Sequence, residues 1–326
     1  MRARTNSHDP KVENISALAF SKRIRKRSLF PNFRRPFYNT MKKTKTYPEE
    51  VYWNDTWVRP EEAFVSVFDR SFMFGDGIYE VTPFYAGKPF MLKEHVARVK
   101  YCLQEMNIVF DTSILEDLML EAVNRSSFSE EDAAVYLQIS RGTAPRSHFI
   151  PEKVQPSLLL YAFKVDLANF ENRYWKVMAS EDLRWHRCDI KSTALLANTL
   201  ANEAAISAGY DENLLFRNGF FTEGSHTTIF FVVEGTVYTH PEGRQILSGI
   251  TRKVVLDLCQ QLSIPVKEEA FPVDGLASVE EIFLTGTTTQ IAPVSSVTID
   301  GKGLFSAQKG KITTRLQEEF LRRTRG

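Results

Sequence analysis

Residues 213–240, NLLFRNGFFTEGSHTTIFFVVEGTVYTH, place the firmest limit on the fold. Their apolar runs are cut by Asn218-Gly219 and Glu234-Gly235. Asn-Gly suits the two-residue hairpin turn, whose central residues both need positive φ. The segment therefore predicts a meander of short antiparallel strands. The same signal recurs upstream. VYWNDTWV (51–58) is two β runs about Asn54-Asp55, and YEVTPFYAGKPFML (79–92) turns at Ala86-Gly87.

Helical signals interrupt the strands. In LKEHVARVKYCLQEMNI (92–108), Val96, Val99, Leu103 and Met106 recur at helical spacing, and SILEDLMLEAVNRS (113–126) is a second amphipathic helix. AAVYLQISRG and PSLLLYAF are strands on either side of the loop RGTAPRSHFIPEKVQ. KVDLANFENRY then reads as a linker, and WKVMASE opens a second half. That half holds a helix from about Leu195 to Ala208, the meander, a helix opened by SGITRKVV, strands in VEEIFLTGTTTQIAPV and a closing helix. Strands and helices in this order give an α+β chain. The division expected is 1–47 as a basic extension without structure, 48–164 as a smaller domain, 165–170 as a linker and 171–326 as a larger domain.

Composition narrows the function. No apolar run is long enough for a membrane helix. Three cysteines lie far apart without CxxC, and six histidines show no metal-ligand spacing, so neither a disulfide framework nor a metal is expected. A reducing, cytoplasmic setting fits that cysteine usage. The net charge of +1 conceals an asymmetry. Residues 1–40 hold ten Lys/Arg and two Asp/Glu, which leaves 31 basic and 38 acidic residues, a net of −7, elsewhere. A basic arm is compatible with nucleic-acid binding or with a transit peptide. The simpler expectation is an unstructured extension or a start codon assigned upstream of Met41, and no nucleic-acid partner is expected.

Four features carry chemistry. In RCDIKSTALLAN (187–198), Lys191 sits between Ile190 and a run of small apolar residues. Either its amine reaches out to solvent, or it is held inside, where burial lowers its pKa and it can attack a carbonyl. In SGITRKVV, Gly249 precedes a helix whose first amides suit a phosphate, though Thr251 reads equally well as a plain helix cap. In FLTGTTTQ, the threonines suit either an anion or a strand end. In RGTAPRSHF, Arg141, Arg146 and His148 form either a solvated basic loop or a carboxylate clamp. A lysine, a phosphate cup and a carboxylate clamp are what pyridoxal phosphate needs to act on an amino acid. No GxxxxGK[ST] or GxGxxG element is present.

Taken with DRSFMFGDGIYEV, HVARV, DLRWHRCDIKS, TEGSHTTIF and YTHPEGRQILSGITR, these segments resemble the class IV, fold type IV, pyridoxal-phosphate aminotransferases, and bacterial D-amino-acid aminotransferases among them. The resemblance covers about Val51 to Phe320. It implies a two-domain fold, pyridoxal 5'-phosphate as cofactor, and amino-group transfer between D-amino acids (D-alanine, D-glutamate) and 2-oxo acids. Lys191 would form the Schiff base and shuttle the proton, and Glu223 would pair with the pyridine nitrogen. Arg98, Ile250, Thr251 and Thr287 would hold the phosphate, and Leu247 would brace the ring. Tyr79, Arg146 and His148 would trap the substrate carboxylate. The last two would come from a neighbouring subunit, which implies a homodimer with a composite site. His95 would be structural. His226 departs from the family pattern and would lie near the cofactor or substrate, and Pro83 would reshape the substrate pocket. Branched-chain aminotransferases and aminodeoxychorismate lyases of the same fold are the alternative, and the PRSH motif argues against them.

Overall fold

The computed structural model describes residues 47–307 and 310–326. The basic extension expected over 1–47 falls almost wholly outside the described residues.

The first sheet comprises β1 (Val51–Trp53), β2 (Thr56–Val58), β3 (Gly77–Tyr85), β4 (Lys88–Pro89), β5 (Ala133–Ser140) and β6 (Ser157–Lys164), in the order β2-β1-β6-β5-β3-β4, all antiparallel. A short helix α1 (Arg70–Phe74) precedes β3, and α2 (Leu92–Glu105) and α3 (Leu115–Asn124) cover one face. Val99, Cys102, Leu103, Met119 and Val123 from the helices pack on Val135, Leu137, Ile139 and Leu160 from the strands. The apolar period of 3.6 on the helices thus meets the period of 2 on β5 and β6.

The second sheet runs β12-β11-β10-β13-β14-β7-β8-β9, with β15 paired to β14. Its strands are β7 (Trp175–Glu181), β8 (Glu212–Arg217), β9 (Phe220–Gly224), β10 (Thr228–Val233), β11 (Thr236–Thr239), β12 (Val266–Glu268), β13 (Glu281–Gly286), β14 (Gln290–Ile299) and β15 (Lys302–Ser306). Its helices are α4 (Leu196–Ser207), α5 (Ile250–Gln261) and α6 (Lys311–Arg325). The runs TIFFVV and EIFLT lack polar alternation because β10 and β13 are covered on both faces. Phe230 and Phe283 stack 4.8 Å apart toward α5 and α6. Phe231, one residue on, faces Phe221 and Phe271 on the other side.

All four hairpin turns read from the sequence are present. The pairs Asn54-Asp55, Ala86-Gly87, Asn218-Gly219 and Glu234-Gly235 all hold positive φ. The stretch read as a linker turns inward, where Leu167 and Phe170 are buried beneath α6 and β10. None of the helices among the described residues is long and apolar enough to cross a membrane.

Candidate active site

Lys191 lies five residues ahead of α4. Its neighbour Ser192 makes an isolated bridge to Ile78 of β3. The lysine is fixed through its main chain. Tyr79 N donates to Lys191 O at 2.9 Å, and Lys191 N donates to Cys102 Sγ at 3.3 Å. Its amine is left for the cavity, with Nζ 4.4 Å from the centroid of the Tyr79 ring.

That cavity lies between the two sheets. Eight of the ten site residues expected from the sequence line it: Tyr79, Arg98, Lys191, Glu223, Leu247, Ile250, Thr251 and Thr287. Arg146 and His148 do not. They are exposed on the 141–156 loop, beside Phe74.

Arg98 reaches the cavity from α2, anchored by a residue the sequence did not single out. Its Nε and Nη2 donate to the two oxygens of Glu80 at 2.9 and 2.7 Å, and its Nη1 donates to Ser248 O at 3.0 Å. A guanidinium has five N–H groups, so two remain for a ligand. The ion pair with Glu94 that helix spacing allows is replaced by this buried fork across to β3. Burial alone would raise the Glu80 carboxyl, but the Arg98 charge, His95 and the hydrogen bonds from both hold it far below the usual carboxylate range. Burial pushes His95 below its ordinary value of 6.5. The neutral ring then donates Nδ1–H to Glu80 Oε1 at 3.1 Å, the structural role expected of it.

Removing the Glu80 charge strands Arg98. Glu80→Gln is expected to cost about 3–5 kcal/mol of stability in denaturant unfolding, the range for breaking a buried pair. Because the folded carboxyl lies below the ordinary 4.5, its contribution is complete above that pH and is lost as the pH falls through the lowered value. The variant should lack this part of the acid dependence.

Glu223, at the end of β9, is buried and held from two sides. Oε1 accepts from Arg184 Nη1, and Oε2 accepts from Leu247 N at 3.1 Å. Arg184 is itself forked onto Asp182, with Nε and Nη2 each 2.9 Å from a carboxylate oxygen. Arg217 and Thr222 also reach Asp182 Oδ2, at 3.2 and 3.0 Å. Burial pushes the Glu223 carboxyl up, against the pull of Arg184. Asp182 and Arg184 stand in the segment DLRWHRCDIKS, yet nothing local in that string shows that they meet Glu223.

Helix α5 opens on Gly249, which offers no side-chain cap. Thr251 is the second helical residue, so it is not the cap. The first-turn amides of a helix have no partners within it. In the lining of the same cavity, Thr285 Oγ1 is buried and makes no hydrogen bond among the described residues. Glu212 organises the wall formed by 224–227. It accepts from Ser225 N and Oγ, His226 N and Thr227 Oγ1, and His226 Nδ1 lies 2.9 Å away. His226 does line the cavity, as its departure from the pattern suggested.

Residues 77–297 match the family model of amino-transferase class IV. The chain belongs to the class IV aminotransferases. It is 37% identical over 275 residues to the D-alanine aminotransferase of Staphylococcus aureus (strain N315), covering 83% of this chain and 96% of that protein. Among solved structures it resembles the branched-chain aminotransferase of Thermoproteus uzoniensis, solved with norvaline, at 26% identity and a TM-score of 0.76, covering 85% and 94% of the two chains. A T.th. branched-chain aminotransferase, complexed with N-(5'-phosphopyridoxyl)-L-glutamate, is also similar, at 26% identity and a TM-score of 0.75, with the same coverage. The fold of this chain is thus that of the fold type IV enzymes, with α+β content as expected.

Class IV aminotransferases are pyridoxal-phosphate enzymes, and this cavity fits that group. An uncapped helix start, an unpartnered buried hydroxyl on Thr285 and the spare N–H groups of Arg98 suit the phosphate. The buried Glu223 carboxyl suits a ring nitrogen, and the Lys191 side chain brings an amine to the same cavity.

Pro83, expected to reshape the substrate pocket, does not itself line this cavity. It pairs with Ala134 in the sheet, and its carbonyl accepts from Phe90 N. Arg141 is no clamp residue. It is buried, with Nε 2.9 Å from Asp76 Oδ2, and Nη1 and Nη2 donate to the carbonyls of Asn107 and Met106. A loop arginine reads alike whether it faces solvent or a set of carbonyls.

Proposed function

We propose that this aminotransferase moves the amino group between D-amino acids of the D-alanine or D-glutamate type and 2-oxo acids, with Lys191 as its catalytic residue. The observation that carries the reading is one cavity gathering Lys191, Glu223, Arg98, Thr251 and Thr287, in a chain 37% identical to a D-alanine aminotransferase over 96% of its length. The branched-chain names of the structural neighbours favour L-substrates as the second reading, at the lower identity of 26%.

Bound pyridoxal phosphate supplies a carbon that takes up the amino group and an electron-withdrawing ring. This chain's residues do the rest. Arg98, the amides of Ile250 and Thr251 and the hydroxyls of Thr251 and Thr287 hold the phosphate. Leu247 braces the ring, and Glu223 holds a proton on its nitrogen. Lys191 Nζ takes the substrate's α-proton and later returns it. Tyr79, Arg146 and His148 fix the substrate carboxylate, so that Lys191 meets the α-carbon from one side only, and one hand reacts.

Arg146 and His148 lie outside their own cavity, which supports their serving a partner's cavity in a homodimer. Phe64, Phe72, Phe149 and Ile150 are exposed on the same pair of segments, which the Asp69–Thr143 bridge joins. Exposed apolar groups of this kind suit a second copy. The division at 48–164, 165–170 and 171–326 is supported by the two sheets, which draw their strands from either side of it. A cytoplasmic setting is supported by three free, buried cysteines.

The deciding experiment is the visible spectrum of the purified enzyme. Adding D-alanine should bleach the band of the lysine-bound cofactor, while L-alanine and L-leucine leave it. Bleaching by L-leucine alone would transfer the function to branched-chain substrates.

A further inference from the structure

The segment Asp69–Asp76, DRSFMFGD, has no role in the site described so far, although it touches both halves of it. On one side it meets the segment that carries Lys191, where Thr193 Oγ1 donates to Gly75 O at 3.0 Å. On the other it holds the base of the clamp loop. Arg70 N donates to Gly142 O at 2.9 Å, Ala144 N donates to Phe68 O at 3.2 Å, and Ser140 Oγ and Ser157 Oγ both donate to Asp69 Oδ2 at 3.0 Å.

Arg70 is only 4% exposed. Its Nε lies 2.6 Å from Asp76 Oδ2, and its Nη1 donates to Ser147 O at 2.9 Å. Ser147 is the residue between Arg146 and His148. One ring then carries three groups: the Phe74 centroid lies 4.7 Å from Arg70 Cζ, 5.3 Å from Arg146 Cζ and 5.9 Å from the His148 ring. A cation over an aromatic face is attracted by the ring quadrupole. The loop's two recognition groups are therefore tethered at the carbonyl between them and seated on one aromatic platform.

We propose that Arg70 and Phe74 are positioning residues for substrate recognition, holding Arg146 and His148 in the orientation that receives a substrate carboxylate. The inference rests on the clamp reading above. An arginine on an exposed loop samples many rotamers, and a substrate would bear the entropy of fixing it. The tether and the platform fix it beforehand, so their loss should appear in binding more than in turnover.

The experiment compares the holoenzyme with Phe74→Leu, Phe74→Tyr, Arg70→Lys, Arg146→Ala and the Phe74→Leu/Arg146→Ala double variant. It measures KM and kcat for D-alanine, and the dissociation constant of 2-methylalanine, which carries the carboxylate but has no α-proton. The visible spectrum checks that each variant keeps its cofactor. We expect Phe74→Leu to raise KM and the dissociation constant by about two- to fivefold, with a smaller change in kcat. Phe74→Tyr should restore both constants, because a plain apolar filler would be served as well by leucine. Arg70→Lys keeps a charge for Asp76 but loses the fork to Ser147 O, so it should raise both constants independently if the leucine variant fails to fold. In the double variant the Phe74 effect should shrink to the part that acts through His148, since Arg146, one of the two groups it positions, is gone. Arg146→Ala raising KM while Phe74→Leu and Arg70→Lys do not would overturn the proposal and leave the clamp standing. No effect from Arg146→Ala would overturn both. Fully additive effects in the double variant would overturn the placing of Arg146 by Phe74.

Discussion

Lys191→Ala is expected to lower turnover by about 10⁴-fold or more, the combined scale of a lost nucleophile and a lost proton carrier. The size follows from the lack of a substitute in the cavity wall. Its other cations are Arg98, Arg184 and Arg252, and guanidinium groups stay protonated. Burial pushes the Cys188 thiol up to about 11, so it is a neutral neighbour and no thiolate. His226 is engaged with Glu212. The fold should survive, because Lys191 is held by its main-chain bonds to Tyr79 and Cys102, which alanine keeps. The purified variant should therefore unfold at close to the wild-type temperature, lack the visible band of the lysine-bound cofactor and fail in single-turnover assays with D-alanine. Turnover near the wild-type rate would remove Lys191 from the chemistry and with it the proposed mechanism.

How much of this was legible depends on the range of each interaction. The hairpins were readable because a two-residue turn needs positive φ from its own residues, and those residues announce it. Helix α5 was readable at Gly249 for a similarly local reason, although its first residue is Ile250 and Thr251 is not a cap. The partners that make the site work were hidden. Glu80 stands between Ile78 and Thr82 on the buried face of β3, and only the fold brings Arg98 to it from α2. The Asp182–Arg184–Glu223 chain joins a loop to a strand 39 residues on. Glu212 looks like an ordinary strand carboxylate, yet its oxygens gather the amides and hydroxyls of a whole turn. Buried charges require such partners, so each hidden carboxylate was implied once its arginine or turn was placed in the cavity. Sequence spacing alone does not say which one.

The same network sets the second large effect. Glu223→Gln should reduce kcat/KM for D-alanine by about 10²–10³-fold, the scale for removing one preorganised electrostatic partner from a dry site. A neutral amide no longer favours a proton on the ring nitrogen, and the ring withdraws electrons less well without it. The fold should tolerate the change, since Arg184 keeps its fork to Asp182 and the carboxamide oxygen can still accept from Leu247 N. Burial raises the Glu223 carboxyl, so in the cofactor-free protein the ionised form is disfavoured relative to the unfolded chain. Its contribution to stability is complete below 4.5 and is lost as the pH rises through the raised value. Glutamine does not ionise, so the cofactor-free variant should be at least as stable as the wild type at neutral pH while being far slower. Thermal unfolding of the cofactor-free proteins, set beside kcat/KM of the loaded ones, separates the two effects. A variant that is destabilised yet fully active would make Glu223 a structural partner of Arg184 and leave the ring nitrogen without its carboxylate.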